Sequence, residues 1–137
     1  METLGYVRFE DRLGDGVQAP GGALDVTPLL GTWLNTDKAT AGIVKLELAR
    51  YDGLFLVRAH GANTPVPYDW GEVPGVAYGA GITATEAVAF SAVYDFGFLT
   101  SILAAYAKQG ILVLDTFNTF KDSSDRANYF TREFFHR

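Results

Sequence analysis

The stretch that decides the fold is Phe98–Phe120, FLTSILAAYAKQGILVLDTFNTF, in which two apolar runs flank the short polar segment Lys108-Gln109-Gly110. Each run has the length of a β-strand and contains aromatic and β-branched residues. A short polar segment that ends in glycine is typical of the turn of a β-hairpin. The stretch therefore predicts two adjacent antiparallel strands, Phe98–Tyr106 and Ile111–Phe120.

The same alternation of short apolar runs and turn signals continues on both sides of this hairpin. Sequential strands joined by short turns indicate an up-and-down meander, and eight of them can hide their edges by closing into a barrel. We expect an all-β fold, a closed eight-stranded antiparallel barrel that forms one domain over residues 24–137. The other predicted strands are Leu30–Thr36, Gly42–Ala49, Leu54–His60, Val76–Thr83, Glu86–Asp95 and Arg126–His136.

Composition and charge exclude several classes of function. The chain is 48% hydrophobic and 20% charged, with a formal net charge of -5, so it lacks the basic face that nucleic acid or an anionic membrane would need. It has no cysteine and two histidines, which excludes disulfides and thiolate metal sites and argues against a multi-histidine metal site. We expect no metal and no cofactor.

The first residues differ from the rest of the chain. Met1–Gly16 carries six charged residues and lacks the apolar run, roughly 7–15 residues long, of a signal peptide. No stretch approaches the roughly 18 apolar residues of a membrane-spanning helix. We therefore expect a cytoplasmic protein. Residues 1–23 are rich in glycine and indicate a loose N-terminal arm, in which Tyr6–Glu10 could form one extra strand.

The segment Leu30-Gly31-Thr32-Trp33-Leu34-Asn35 resembles the opening strand of calycin barrels, the superfamily of lipocalins, fatty-acid-binding proteins and avidins. The resemblance implies that Trp33 lies across one end of the barrel and that a basic residue of the last strand packs over it. Arg132 is the first candidate for that residue and Arg126 the second. Such a pair is primarily structural, because a guanidinium on an indole contributes roughly 0.5–2 kcal/mol.

Two narrower resemblances refine this expectation. Avidins share the Gly-x-Trp-x-Asn pattern, which implies that Asn35 holds a polar group of a ligand. This chain lacks the later tryptophans with which avidins enclose biotin, so we do not predict biotin binding. Across most of its length the chain also resembles small bacterial calycin-like proteins without an assigned activity, notably in Pro65–Pro74, Tyr94–Phe98 and Phe120–Arg126.

Two groups of residues are candidates for ligand contacts. The predicted loop Gly61–Gly75 contains three prolines that restrict its conformations, so Trp70 is expected to be held at a barrel mouth, as a ligand contact or as a simple cover. Arg58 and His60 share one face of a strand. If that face points inward they can bind a carboxylate or move a proton; if it points outward, the alternate residues of the strand fill the core.

A carboxylate inside the barrel would have a raised pKa and could act as an acid or base. Asp115 and Glu133 are the carboxylate candidates, and Tyr94 and Tyr129 are further candidate acids or bases. The sequence shows no nucleophile triad, phosphate-binding loop or dinucleotide-binding motif.

Several predicted strands are apolar on both faces, as in Leu54-Phe55-Leu56-Val57 and Ile111-Leu112-Val113-Leu114. One face of a barrel strand lies outside, and soluble monomers avoid large exposed apolar patches. We therefore expect a homo-oligomer, most simply a dimer with two-fold symmetry.

Three hypotheses about function follow. The first is a binding protein for a small apolar molecule, lined by aromatic residues. The second is a cofactor-free cyclase or isomerase acting on a polyketide- or terpene-like substrate. The third is a structural or assembly role with a filled barrel. For the first hypothesis, the predicted lining residues are Phe90, Tyr94, Phe117 and Tyr129.

Overall fold

The computed structural model describes residues 24–137. It is a closed barrel in which each strand pairs with the next and β8 returns to β1, all antiparallel. The all-β, eight-stranded closed barrel is thus confirmed, whereas the predicted arm and the strand at Tyr6–Glu10 lie outside the described residues. The strands are β1 Gly31–Asn35, β2 Ile43–Tyr51, β3 Leu54–Gly61, β4 Tyr68–Tyr78, β5 Ala89–Asp95, β6 Leu99–Lys108, β7 Ile111–Phe120 and β8 Tyr129–His136.

One 3-10 turn, Thr27–Leu29, precedes β1. Within residues 24–137, no helix has the length and hydropathy that a bilayer span requires.

The predicted position of the fourth strand is wrong. β4 covers Tyr68–Tyr78, so half of the predicted loop Gly61–Gly75 is strand, and the end of the predicted strand Val76–Thr83 is a turn. The prolines indicate a loop, yet Pro74 pairs with Leu56 inside the sheet. The register between β3 and β4 shifts between Arg58 and His60, and Gly71 on the facing strand has a positive φ of 89°, as expected where a bulge interrupts the ladder. The other seven predicted strands overlap the observed ones.

One half of the barrel is filled by apolar side chains. Phe55 and Phe90 meet edge to face, with ring centroids 5.7 Å apart. Their neighbours in this half have almost no exposed surface, so this end is a packed core of the kind that an eight-stranded barrel can just fill. The most deeply buried members are Leu29, Trp33, Leu46, Leu103, Leu112, Leu114 and Phe135.

The packed end is closed by Trp33 and Arg137. The indole Nε1 of Trp33 donates a hydrogen bond to the carbonyl of Leu29 at 2.9 Å. The guanidinium of Arg137 lies 4.1 Å from the centre of the Trp33 ring. Its Nη2 donates to the carbonyls of Pro28 at 2.6 Å and Leu30 at 3.1 Å. The guanidinium therefore holds the 3-10 turn, the indole and the end of β8 together.

The expectation that Arg132 or Arg126 covers Trp33 is wrong. Side chains of a strand alternate between its two faces, and in β8 the odd positions point into the barrel. Arg132 points outward and pairs with Asp115. Arg126 lies between strands, over the ring of Phe120 at 4.4 Å.

We predict that Arg137→Ala lowers the free energy of unfolding by about 2 kcal/mol, because it removes a cation–π contact and charged hydrogen bonds. Urea denaturation followed by circular dichroism measures this. Arg126→Ala is the matched control, since it also removes a guanidinium from an aromatic ring but at an exposed site, and it should cost less than about 1 kcal/mol. Equal losses in the two variants would contradict the role of Arg137 as the plug.

Candidate functional site

The half of the barrel opposite Arg137 is open. It contains a cavity of 820 Å³ lined by the ends of β2, β3, β4, β7 and β8. Apolar and aromatic surface comes from Ile43, Tyr68, Trp70 and Tyr129. The polar side chains of the lining are Thr40, Asn63, Thr116, Asn118, Thr131 and Glu133, with Arg132 at its edge.

The polar residues of β6, β7 and β8 form a connected network. The Ser101 hydroxyl donates to Oδ1 of Asn118 at 2.6 Å, and Nδ2 of Asn118 donates to Oγ1 of Thr116 at 3.0 Å. The hydroxyls of Thr116 and Thr131 share a hydrogen bond. Each of these buried side chains thus has a partner, which fixes the orientation of this wall without filling the cavity.

Glu133 presents a carboxylate to the cavity. Its Oε2 accepts a hydrogen bond from the hydroxyl of Thr40, which in turn accepts one from the backbone N–H of Gly42 at 3.0 Å. A Cβ on Gly42 would lie 2.9 Å from Oε1 of Glu133, so glycine is needed for this carboxylate to lie against the wall.

Trp70 presents an indole N–H to the same cavity. Its ring meets Tyr94 and Phe96 edge to face, with centroids 5.3 Å and 5.2 Å apart, which holds the ring in place. A Cβ on Gly61 would lie 2.7 Å from the indole Nε1.

The two glycines bring these groups together. Gly42 and Gly61 lie where β2 pairs with β3, because Ile43 is opposite Gly61 and the N–H of Ala62 donates to the carbonyl of Gly42 at 2.8 Å. A carboxylate acceptor and an indole donor therefore border the same part of the cavity. Together they can bind a group that both donates and accepts a hydrogen bond, such as a hydroxyl or a carboxamide.

Tyr94 lies inside the barrel, but its hydroxyl is occupied. It accepts from the N–H of Ala59 at 3.0 Å and lies 2.6 Å from the carbonyl of Gly71, to which it donates. The hydroxyl thus fills the gap that the bulge opens between β3 and β4. Burial raises its pKa above the ordinary tyrosine value. The structure therefore assigns Tyr94 a positioning contact rather than the predicted catalytic one.

Two other predicted ligand contacts are also held by the fold. Nδ2 of Asn35 donates to the carbonyl of Ile43 at 2.9 Å, and its Oδ1 accepts from the N–H of Asp37 at 2.8 Å. Both groups of this side chain thus fasten the connection between β1 and β2. Phe90 points inward but lies in the packed half, against Phe55. Neither residue lines the cavity.

Asp115 and Phe117 lie on the outside, so their predicted places inside the barrel are wrong. The even positions of β7 fill the interior and the odd positions face out. Asp115 accepts from Nε and Nη2 of Arg132 at 2.7 Å and 2.9 Å, and the hydrogen bond from that guanidinium lowers its pKa. A carboxylate already ionised by an external arginine does not serve as an interior acid.

Arg58 and His60 also point outward, which decides between the two alternatives. Nε of Arg58 lies 3.4 Å from Oδ1 of Asp69, and Nε2 of His60 lies 3.5 Å from Oε2 of Glu47. Both side chains lie on the side of β3 away from the core, but His60 is only 9% exposed. Among residues 24–137, Nε of Arg58 and Nε2 of His60 are buried without a hydrogen-bond partner. As expected for this orientation, Phe55, Val57 and Ala59 fill the core.

The cavity is lined by three of the residues predicted to bind or react with a ligand: Glu133, Trp70 and Tyr129. Sequence reasoning missed the polar network and the two glycines. In β7 the hydroxyl and amide residues of the network occupy alternate positions and therefore share one face of the strand. This spacing indicates a polar wall of the cavity only when that face is known to point inward.

Comparison of the chain with protein-family models, with curated proteins and with solved structures found no significant match. In the part of the chain from residue 24 onward, no three histidine, aspartate or glutamate side chains come together as a group that could hold a metal ion.

We predict that Tyr94→Phe lowers the free energy of unfolding by roughly 1–3 kcal/mol, because it leaves the buried N–H of Ala59 without an acceptor. Tyr68→Phe is the control: this tyrosine is 63% exposed, and its loss should change stability by less than about 0.5 kcal/mol. Chemical denaturation of the three proteins measures both values. A Tyr94→Phe variant as stable as the parent would show that the hydroxyl does not hold the bulge.

Proposed function

We propose that this protein is a small-molecule-binding barrel whose ligand combines an apolar body with one polar end. The observation that carries the proposal is the 820 Å³ cavity, whose lining includes the carboxylate of Glu133 and the indole of Trp70. Ligand pockets in proteins typically measure roughly 300–1,000 Å³ and combine apolar walls with a few placed polar groups. The cavity has both properties.

The architecture supports a barrel of the calycin type. The Gly-x-Trp segment of β1 places Trp33 across the packed end, and a basic residue that follows β8 covers it at 4.1 Å. This is the arrangement that the resemblance to calycins implies, with Arg137 in the role expected of Arg132. In such an arrangement one end is closed by a plug and the other is left for a ligand.

The charge of the lining restricts the class of ligand. Glu133 contributes a carboxylate to the cavity, whereas the guanidinium of Arg132 is held on the outside by Asp115. A carboxylate or sulfonate on the ligand would meet like charge in a partly desolvated site, which is unfavourable. The proposed ligand is therefore neutral or cationic, with its polar group at Glu133 and its apolar body against Trp70, Ile43 and Tyr129.

A matched pair of fluorescent probes tests this proposal. 1-Anilinonaphthalene is neutral and carries one N–H donor, and its 8-sulfonate has the same rings plus a negative charge. We expect the neutral probe to bind roughly tenfold more tightly, because a repulsion of about 1.4 kcal/mol is a factor of ten in affinity. Glu133→Gln should remove most of this difference. Fluorescence titration of both proteins with both probes measures the dissociation constants.

Controls separate the cavity from the outer surface, where such probes also adhere. Ala62→Trp places a large ring at the cavity wall and should abolish binding of the neutral probe, whereas Ala49→Trp adds the same ring on the exposed end of β2 and should not. Equal affinity for both probes in the parent protein, or binding unaffected by Ala62→Trp, would overturn the proposal.

A cofactor-free isomerase is the second candidate, and one observation favours it. The carboxylate of Glu133 lines the cavity, so it could take a proton from a bound substrate and return it at another atom. Of the predicted acids and bases, Glu133 and Tyr129 remain at the cavity. Binding ranks first because it needs only the cavity and its polar end.

A further inference from the structure

The outer surface of β6, β7 and β8 carries two apolar rows that run across the strands. In the first row Phe130 lies opposite Phe117, which lies opposite Ile102, and these side chains are 50%, 46% and 42% exposed. In the second row, Phe134 and Tyr106, 47% and 45% exposed, flank the buried Val113. We call the surface formed by these two rows and by the row of residues between them the outer face.

The row between them is charged. Arg132 lies opposite Asp115, which lies opposite Ala104, and the guanidinium makes two hydrogen bonds to the carboxylate, at 2.7 Å and 2.9 Å. The side chain of Asp115 is 19% exposed and that of Arg132 is 53% exposed. The outer face therefore has one positive and one negative group side by side, with an apolar row above and below them.

This charge arrangement is complementary to itself. A two-fold axis that runs parallel to the strands, between β7 and β8, lays β7 of one chain on β8 of another. It places Asp115 opposite the second chain's copy of Arg132, and Phe117 opposite its copy of Phe130. It also places Val113 opposite the copy of Phe134. Opposite charges and apolar groups thus meet across β7 and β8, while Ile102 and Tyr106 of β6 lie outside this contact.

The contact area is that of a weak dimer. A large aromatic side chain buries roughly 200 Å², so the half-exposed Phe117, Phe130 and Phe134 together with Arg132 offer on the order of 400 Å² per chain. Two such faces together bury about 800 Å², within the range of small, transient interfaces. We infer that a second copy of this chain covers the outer face, forming a two-fold symmetric dimer around the Arg132–Asp115 pair.

The dimer does not depend on the proposed ligand. Apart from Arg132, which also borders the cavity, the outer face consists of outward side chains and the cavity is formed by inward ones. The 1-anilinonaphthalene titration of Asp115→Arg and of Phe117→Lys is therefore a readout separate from dimerisation. Ligand binding and self-association can therefore each fail without the other.

Charge reversal tests the symmetry of the interface directly. Asp115→Arg gives a chain with two positive groups on the outer face, and Arg132→Asp gives a chain with two negative groups. Each variant alone should be monomeric in sedimentation equilibrium at concentrations where the parent is a dimer. An equimolar mixture of the two should restore a species of dimer mass, because each doubly basic face then meets a doubly acidic one. The test uses the full chain, and far-UV circular dichroism checks that each variant is folded.

Phe117→Lys and Tyr51→Lys form a second comparison. Both place a lysine where an exposed aromatic residue stood, but Phe117 lies in the outer face and Tyr51 lies at the end of β2, 73% exposed. Phe117→Lys should raise the dissociation constant of the dimer roughly a hundredfold, because it places an unpaired charge in the contact, and Tyr51→Lys should leave it unchanged. A parent protein still monomeric at about 100 µM, a mixture that stays monomeric, or equal effects of the two lysines would overturn the inference.

Discussion

The strict alternation of β8 is the constraint on which the rest of the structure depends. Its odd positions point inward, so Thr131 and Glu133 line the cavity and Phe135 fills the core. The alternation continues past the end of the strand to Arg137, which covers Trp33. Its even positions point outward and supply the outer face. Because side chains of a strand repeat every two residues, a shift of one residue would exchange these sets and put outward charged groups into the barrel. The cost of burying those groups unpaired holds the register.

The two halves of the barrel differ because their inward residues differ. Near Arg137 the inward positions carry large apolar side chains, and the interior is filled. At the other end the inward positions of β7 and β8 carry small polar side chains that hydrogen-bond to one another, as in Thr116, Asn118 and Thr131. Gly42 and Gly61 leave room on the opposite wall. The cavity stays open because these side chains satisfy one another without projecting into the centre.

The strand order could be predicted from the sequence because turn chemistry and strand length are local signals. Asp52 and Gln109 each precede a glycine and adopt positive φ, at 56° and 53°, at turns that the sequence predicts. The inward face of a strand is not a local property when both faces are apolar. For that reason the sequence pattern places Phe117 and Asp115 inside, whereas the structure shows them outside.

The position of Trp70 could not be predicted for a related reason. The bulge at Gly71 depends on the pairing of β3 with β4. Nothing in the sequence of either segment indicates which residues of the other it pairs with. The prolines around Trp70 are a local signal for a loop, so the sequence assigns this tryptophan to a loop. In the structure Pro74 pairs with Leu56 in the regular part of the ladder, and the indole of Trp70 is held in the strand.

We propose that one end of the barrel is plugged and the other is an accessible binding cavity. The chain has two tryptophans, and one indole lies at each end, so they report on the ends separately. We would record the two indole N–H signals by ¹H–¹⁵N NMR, assign them with Trp70→Phe, and add 1-anilinonaphthalene. We predict that the Trp70 N–H exchanges rapidly with solvent and that its signal shifts when the probe is added. The Trp33 N–H, which donates a hydrogen bond to the carbonyl of Leu29, should do neither. A shift of the Trp33 signal alone, or two equally protected and unresponsive indoles, would contradict this proposal.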